Sequence, residues 1–323
     1  SRNSITNMAM AAGVFIMFML TVFRYYGDVE YRLNLNYRRY FIYYLLIGIG
    51  QSFVMITGNI DLSIGSVVGM SAMISATMMT KGMNPVVAIL VTIILALVVG
   101  VVNGYLVGKF KLPPFIATLG TMFVARGIAY IVNNNRNTDN IASGIGKEAG
   151  DRFQNIFYYG KTAGIFNTFW IALIVFLIFW FFLARTRSGR HIYAIGSNVD
   201  AARLSGVDVV KTTTKAYMVS GFCSAVVGFV LCAQAGMGNM DAGNMYEMYG
   251  VAAGVIGGVS PLGGSGILLG TFAGAGVWQT LENGLNLIHA QVGFQRIIIG
   301  VIVVGAVLLD VVVRSGNFKK KKK

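Results

Sequence analysis

Thr57-Gly58-Asn59-Ile60-Asp61-Leu62-Ser63-Ile64-Gly65-Ser66 is a polar, glycine-flanked stretch that separates two long apolar runs and carries one carboxylate. We call this stretch, residues 57–66, the first break. An ionisable side chain at membrane depth costs about 2.5–3.5 kcal/mol on insertion scales, so it is seldom kept for packing alone. Backbone that is interrupted at that depth is tolerated only where it is buried in protein or lines a cavity. The first break therefore predicts a functional site inside a membrane.

The rest of the chain has the composition of a membrane protein. Of its 323 residues, 55% are hydrophobic and 12% are charged, and the mean hydropathy is +0.67, whereas a soluble domain has roughly 25% charged residues. A membrane span needs about 20 mostly apolar residues. We predict an all-α polytopic membrane protein, a single domain over residues 1–323 with about ten transmembrane or half-spanning helices. The predicted segments are 4–23, 40–57, 62–80, 85–108, 114–132, 165–184, 215–236, 246–259, 267–283 and 293–313.

The positive charge of the chain fits a membrane better than a nucleic acid. The net charge of +14 comes from 26 lysines and arginines against 12 aspartates and glutamates, and five of the lysines are Lys319–Lys323. Positive residues that flank spans are expected from the positive-inside rule and from anionic headgroups. We therefore expect the lipid bilayer, and no nucleic acid, as a partner.

Loop charge also predicts the orientation of the chain. Residues 185–215 contain six lysines and arginines, and the tail at 314–323 contains six more, so both are predicted to be cytoplasmic. Counting spans backwards then makes the loop at 133–163 extracytoplasmic. The stretch 24–39 disagrees, because it holds four arginines on the predicted outside. Either it forms an interfacial helix, or the helix count around the first break is wrong by one.

A second glycine-rich break occurs at Gly257–Gly266, which we call the second break. Interruptions at corresponding places in two halves of a chain indicate an internal repeat, and in transporters they commonly mark the permeation path. The alternative is that the second break is only a tight connection between two spans. Both interpretations are compatible with the sequence.

Several polar residues in or beside apolar segments are candidates for a solute path. In the first break, Asp61, Ser63 and Ser66 can hydrogen-bond a hydroxylated solute, or Asp61 can cap the helix that follows. Six further polar residues lie in or beside apolar segments, and we expect each of them either to contact the solute or to join helices together. These are Asn103, Thr118, Thr121, Glu282, Asn283 and Asn286.

The sequence offers no catalytic, metal or nucleotide site. It has no Ser/His/Asp or Cys/His arrangement and no ligand cluster such as His-x-x-x-His. Its two cysteines, Cys223 and Cys232, lie in one apolar span without redox or metal-ligand spacing. The remaining ionisable residues near spans are too isolated for a proton relay. They are Arg126, Glu247, His289, Arg296 and Asp310.

A polar segment near the middle of the chain reads as a short capped helix. Asn198 is a suitable N-cap and Gly206 a suitable terminator. The plain interpretation is a connecting helix, but Asp-Ala-Ala at 200–202 followed by Gly206 is similar to the coupling loop by which permeases of ATP-driven importers dock on their ATPases. The candidate coupling residues are Asn198, Asp200, Ala201, Ala202, Arg203, Leu204, Ser205 and Gly206.

Read together, these stretches resemble one family. The first break matches the signature Gly-Ile-Asp-Leu-Ser-Val-Gly-Ser, and residues 112–121, 186–196, 257–266 and 282–287 follow in the right order. From about residue 40 to 313 the chain resembles a ribose-type permease, the membrane subunit of bacterial monosaccharide ATP-binding-cassette importers. Two departures stand out. Asn59 replaces a glycine of the signature, and Tyr249 in Glu247-Met248-Tyr249 replaces an aspartate.

The resemblance implies a transport subunit and not an enzyme. Family members form homo- or heterodimers of permease subunits around a central path in the bacterial cytoplasmic membrane, with an extracytoplasmic sugar-binding protein and two cytoplasmic ATPase subunits. The chain has no Gly-x-x-x-x-Gly-Lys-Ser/Thr loop, so ATP would be bound by the partner and the chain itself would need no cofactor. Alternatives are a nucleoside or branched-chain amino acid permease of the same superfamily, an ion-coupled secondary transporter, and a polytopic membrane enzyme.

Overall fold

The computed structural model describes residues 30–291 and the positions 293–294, 296–298, 300–302, 304–305 and 308. For residues 30–40 and 287 it describes the backbone only. The predicted span at 4–23, residues 24–29, Asp310 and the basic tail at 314–323 lie outside the described residues.

The described residues are mostly helical and contain almost no strand, which confirms the all-α prediction. The helices are α1 Glu30–Ile56, α2 Ile64–Thr80, α3 Pro85–Gly108, α4 Pro114–Ile131, α5 Ala142–Ile145, α6 Lys147–Gln154, α7 Asn167–Arg185, α8 Arg187–Ser197, α9 Val199–Leu204, α10 Val209–Ala235, α11 Tyr246–Ile256 and α12 Leu268–Leu287. A π-helical turn at Asn155–Tyr159 follows α6, and a two-stranded hairpin, β1 Lys161–Thr162 and β2 Ile165–Phe166, precedes α7. By length and composition, α3, α4, α7 and α10 can each cross a membrane.

Several boundaries differ from the sequence prediction, most of all the starts of α1 and α10. Residues 30–39 continue α1, a helix of 27 residues, and do not form a separate interfacial helix. Helix α10 begins at Val209, six residues before the predicted start at 215, because the Asp208 carboxylate caps it by accepting a hydrogen bond from the Lys211 N–H at 3.0 Å. The loop at 133–163 contains the short helices α5 and α6.

Helix α10 forms the centre of the packing. Its residues Val210, Thr214 and Tyr217 lie against Gly108, Gly104 and Gly100 of α3, so the two helices run antiparallel. A Cβ on Gly104 would lie 2.3 Å from the Thr214 Cα, so the close approach depends on glycine. This is the use of small residues at four-residue spacing that membrane helices commonly make.

Two short helices begin at the centre of the bundle and run in opposite directions. Helix α2, with 17 residues, runs parallel to α10, because Gly228 packs on Ser71 and Gly238 packs on Ala76. Helix α11, with 11 residues, runs parallel to α1, where Gly250 packs on Ile47. The Tyr43 hydroxyl of α1 reaches Gln234 at the far end of α10, and Gly50 packs on Ser220, so α1 and α10 are antiparallel. Helices α2 and α11 are therefore antiparallel as well.

The segment that leads into α11 is Gly236–Met245, which we call the 236–245 loop. It meets the start of α2, since a Cβ on Gly65 would lie 2.2 Å from the Gly243 carbonyl oxygen and 2.4 Å from the Glu247 carboxylate. The first break and the 236–245 loop thus each introduce a short helix at the same place. The counterpart of the first break is therefore the 236–245 loop. The second break is the tight connection between α11 and α12.

Candidate functional site

The Asp61 carboxylate lies in the protein interior and accepts its hydrogen bonds from neighbouring protein groups. Its side chain is 2% exposed. One oxygen accepts hydrogen bonds from the backbone N–H and the hydroxyl of Ser63, at 2.8 and 2.6 Å, and the other accepts from the Ser220 hydroxyl at 2.6 Å. The bond to the Ser63 N–H is an Asx-type turn just before α2. Asp61 therefore shapes the entry of the chain into α2 and also ties this entry to α10.

The same network continues into α3 and α4. The Asn103 side-chain amide nitrogen donates to the Ser63 hydroxyl at 2.9 Å, and the Thr121 hydroxyl donates to the Asn103 side-chain oxygen at 2.6 Å. Four of the predicted path residues, Asp61, Ser63, Asn103 and Thr121, are thus joined in one chain of hydrogen bonds. Because these polar groups bond to one another, the geometry favours the architectural interpretation over direct contact with a solute.

The other three predicted path residues lie outside this network. Thr118 donates to the Pro114 carbonyl oxygen of its own helix at 2.8 Å. Ser66 is buried in the first turn of α2. Asn283 is buried on α12, and its amide nitrogen has no partner among the described residues.

Four glycines bring the two breaks and the end of α8 into backbone contact. A Cβ on Gly196 would lie 1.8 Å from the Ile56 carbonyl oxygen, which accepts a hydrogen bond from the Gly264 N–H at 2.9 Å. A Cβ on Gly263 would lie 2.8 Å from backbone atoms of Gly58 and of Gly196. No side chain fits between these segments. We call Gly58, Gly196, Gly263 and Gly264 the glycine junction.

A tyrosine on α8 reinforces the contact with the second break. The Tyr193 hydroxyl donates to the Gly266 carbonyl oxygen at 2.6 Å. Burial raises the pKa of Tyr193 to about 12, so the hydroxyl remains a donor at neutral pH. Helix α8 is therefore fixed to the second break by a side chain as well as by the glycine junction.

The predicted coupling residues form α9 and its two ends. The Asn198 side chain caps α9 by accepting from the Ala201 N–H at 2.9 Å, and Gly206 ends the segment with φ +82°. Within α9, Ala202 is buried whereas Leu204 is 90% exposed. An open cleft of about 560 Å³ lies beside the first break, with Asn198, Asp200 and Arg203 in its lining. Asp200, Ala201 and Ser205 lie on the exposed side of the segment.

Arg126 of α4 was not predicted as a site residue, yet it joins the two places where the short helices begin. Its guanidinium donates to the carbonyl oxygens of Met240 and Ala242 at 2.8 and 2.9 Å, and to that of Gly65 at 3.3 Å. The signal in the sequence was a lone arginine inside an apolar segment. Its partners could not be identified because they are backbone carbonyls and leave no mark in a sequence.

Aromatic residues surround the position where the chain departs from the family signature. The ring of Tyr249 lies 5.5 Å from that of Tyr44 and 5.5 Å from that of Trp278. The Tyr44 hydroxyl donates to the Glu282 carboxylate. Tyr249 therefore packs in an aromatic cluster between α1 and α12, at the position where the resemblance implies an aspartate. Glu282 joins helices here, which is one of the two roles expected for it.

Comparisons with known proteins find relatives among import permeases. A family model described as "Branched-chain amino acid transport system / permease component" matches residues 33–307. The chain is 37% identical over 265 residues to the ribose import permease protein of Bacillus subtilis, covering 82% of this chain and 80% of that protein. It is 35% identical to the D-allose transport system permease protein of Escherichia coli, with 82% and 79% covered. It is 34% identical to the autoinducer 2 import system permease protein of Salmonella paratyphi B, with 82% and 74% covered. No solved structure matches.

Proposed function

Because this chain belongs to the family of branched-chain amino acid transport system permease components, we propose that it is the membrane subunit of an ATP-binding-cassette importer that moves a monosaccharide into the bacterial cytoplasm. The observation that carries the proposal is the identity of 35–37% with ribose and allose permeases over 82% of the chain. The protein is a multi-pass membrane protein and a transport subunit. A neutral sugar agrees with the scarcity of ionisable side chains around the first break.

The solute path passes the first break, at the axis of a homo- or heterodimer of permease subunits. In this proposal the Asp61 network keeps the first break rigid and does not itself bind sugar. Its support is that both oxygens of the carboxylate already accept hydrogen bonds from Ser63 and Ser220. Ser66, Thr118 and Asn283 lie outside the network and remain the predicted path residues that can contact the solute.

Energy comes from ATP bound by cytoplasmic ATPase subunits that dock on residues 185–215. The exposed Leu204 and the positive charge of this segment support a docking role. The glycine junction gives a direct mechanical connection from α8 to both breaks, because backbone in contact with backbone cannot absorb a displacement by a side-chain rearrangement. Residues 133–163 then face the extracytoplasmic sugar-binding protein, and the tail at 314–323 is cytoplasmic.

Uptake by reconstituted protein tests the proposal. Proteoliposomes that contain this chain, its ATPase partner and its binding protein should accumulate D-ribose, D-allose or another monosaccharide only when ATP is enclosed with the ATPase. A matched preparation with an ATPase variant that lacks the phosphate-binding lysine should accumulate none. Uptake driven by an ion gradient without ATP would contradict the importer assignment. ATP-dependent uptake of leucine or a nucleoside, with no sugar transported, would contradict the substrate class.

A further inference from the structure

A second cavity, of about 330 Å³, lies between α2, α10 and the 236–245 loop, at the opposite end of α10 from its cap at Asp208. Its volume is at the lower end of the roughly 300–1,000 Å³ typical of small-molecule sites, which suits a single small solute. The lining residues that can contact a solute through polar or aromatic groups are Gln234, Asn239, Asp241, Asn244 and Tyr246. None of these residues belongs to the Asp61 network.

The polar groups of this cavity are suited to hydroxyl groups. Gln234, Asn239 and Asn244 each carry an amide that both donates and accepts hydrogen bonds, and Asp241 accepts them. Tyr246 adds an aromatic ring against which the apolar face of a solute can pack. A polyol with alternating hydroxyl and C–H surfaces uses both kinds of group, whereas an aliphatic amino acid side chain would leave the amides unpaired.

The charge of the lining selects against anions. Asp241 is the one charged residue among the lining residues that the structure describes, and no lysine or arginine is among them. A phosphorylated or carboxylated solute would therefore meet a carboxylate with no cation facing the cavity. The cavity suits a neutral solute.

The protein holds these polar groups in place before any solute binds. The Asn239 side chain accepts from the Asp241 N–H at 2.9 Å, and the Tyr130 hydroxyl donates to the Asp241 carboxylate at 3.1 Å. The side-chain amide oxygen of Gln234 accepts from the Tyr43 hydroxyl at 2.7 Å, which directs the N–H groups of the same amide. Arg126 fixes the loop backbone. Groups that are already ordered lose less entropy on binding.

We propose that this cavity is a binding site for a neutral monosaccharide, occupied before the solute reaches the first break. The inference rests on the proposed function, because it assigns the site to the same imported solute. Asn244 is the contact residue best suited to a test, since its side chain is exposed and makes no hydrogen bond among the described residues.

Cysteine labelling provides the test. The native Cys223 and Cys232 are both 0% exposed, so a new surface cysteine is the reactive one among the described residues. Full-length Asn244→Cys protein in proteoliposomes is labelled with a membrane-impermeant maleimide in the presence of D-ribose, D-allose, D-galactose or L-leucine. We expect at least one of the three sugars to slow labelling about three- to tenfold, and leucine to leave it unchanged. Asp139→Cys, on the neighbouring exposed loop, is the control and should react equally in all four solutions.

The outcomes separate this inference from the proposed function. If no sugar protects Asn244→Cys, or if leucine protects it equally, the site is wrong. If in addition Asn244→Ala imports sugar at the wild-type rate, the proposed function is retained and the assignment of this cavity as a sugar site is rejected. If wild-type protein shows no ATP-dependent sugar uptake at all, the proposed function itself falls.

Discussion

The hydroxyl of Ser220 donates a hydrogen bond of 2.6 Å to the carboxylate of Asp61, 159 positions earlier in the chain. The other carboxylate oxygen is held by Ser63, so the two oxygens of Asp61 connect the first break to α10. A carboxylate in the interior is stable when hydrogen bonds replace its lost hydration. The role of Asp61 is therefore tested by changes that keep or remove these bonds separately from its charge.

Asparagine at position 61 should preserve the structure, whereas alanine should not. In Asp61→Asn the carbonyl oxygen can still accept from Ser63, and the Ser220 hydroxyl can rotate to accept from the new amide. Asp61→Ala leaves the Ser220 hydroxyl and the Ser63 N–H unpaired, at about 1–3 kcal/mol each. We expect Asp61→Asn to keep both its sugar uptake and its unfolding temperature in detergent. Asp61→Ala should lose uptake and unfold at a lower temperature. Equal loss in both would show that the charge itself is required.

The partner serine gives an independent test with a matched control on the same helix. Ser220→Ala removes one hydrogen bond to a charged group and should lower the free energy of unfolding by about 1.5–3 kcal/mol. Ser224 is equally buried but donates only to the Ser220 carbonyl oxygen of its own helix at 2.9 Å. Ser224→Ala should therefore cost less than about 1 kcal/mol. Denaturant unfolding of the two variants measures the difference between their free energies of unfolding. Equal free energies would contradict a stabilising role for the Ser220 side chain in the network.

The glycine junction should tolerate no side chain at position 196. Because a Cβ on Gly196 would lie 1.8 Å from the Ile56 carbonyl oxygen, Gly196→Ala must separate α8 from the end of α1. We expect a lower unfolding temperature and loss of ATP-dependent uptake. A Cβ on Gly120 meets no atom within 4 Å, so Gly120→Ala on α4 should be neutral or slightly stabilising. Normal uptake by Gly196→Ala would show that transport does not require backbone contact at the glycine junction.

Arg126 should act through the carbonyl groups that it binds. Arg126→Gln loses most of the hydrogen bonds to the 236–245 loop and to Gly65, each worth about 1.5–3 kcal/mol for a charged donor. Arg126→Lys keeps the charge but cannot reach three carbonyls with the same geometry, so its defect should be intermediate. Proteolysis of the 236–245 loop in proteoliposomes should be fastest in Arg126→Gln. Thr118→Val, which removes only a bond within α4, is the control.

The sequence predicts local features of this fold well. The segments at 85–108 and 114–132 agree with α3 and α4 almost to the residue, because proline and the Asn84 cap mark their starts. The Asn198 cap is likewise found as predicted. Each of these features depends on residues within a few positions of one another, where propensity and capping rules operate.

Features that depend on distant contacts were not predictable. The second break resembles the first in composition, but the true counterpart, the 236–245 loop, is identified only by its contact with Gly65. The bond from Ser220 to Asp61 and the carbonyls around Arg126 are likewise set by helix packing. The carbonyl groups around Arg126 belong to the backbone and leave no mark in a single sequence, whereas a local capping or turn role for Asp61 could be proposed because Ser63 lies only two residues away.

Leu204 offers the sharpest test of docking, because its side chain is 90% exposed and contributes little to the fold. Leu204→Glu should change the free energy of unfolding by less than about 0.5 kcal/mol, so a functional defect would reflect a lost partner and not misfolding. If α9 contacts the ATPase, a carboxylate introduced into that apolar contact is desolvated without a partner. Sugar-stimulated ATP hydrolysis and uptake should then both fall at least tenfold. Leu204→Met keeps an apolar side chain at the same position and should leave both activities intact. Unchanged stimulation in Leu204→Glu would contradict docking through this residue.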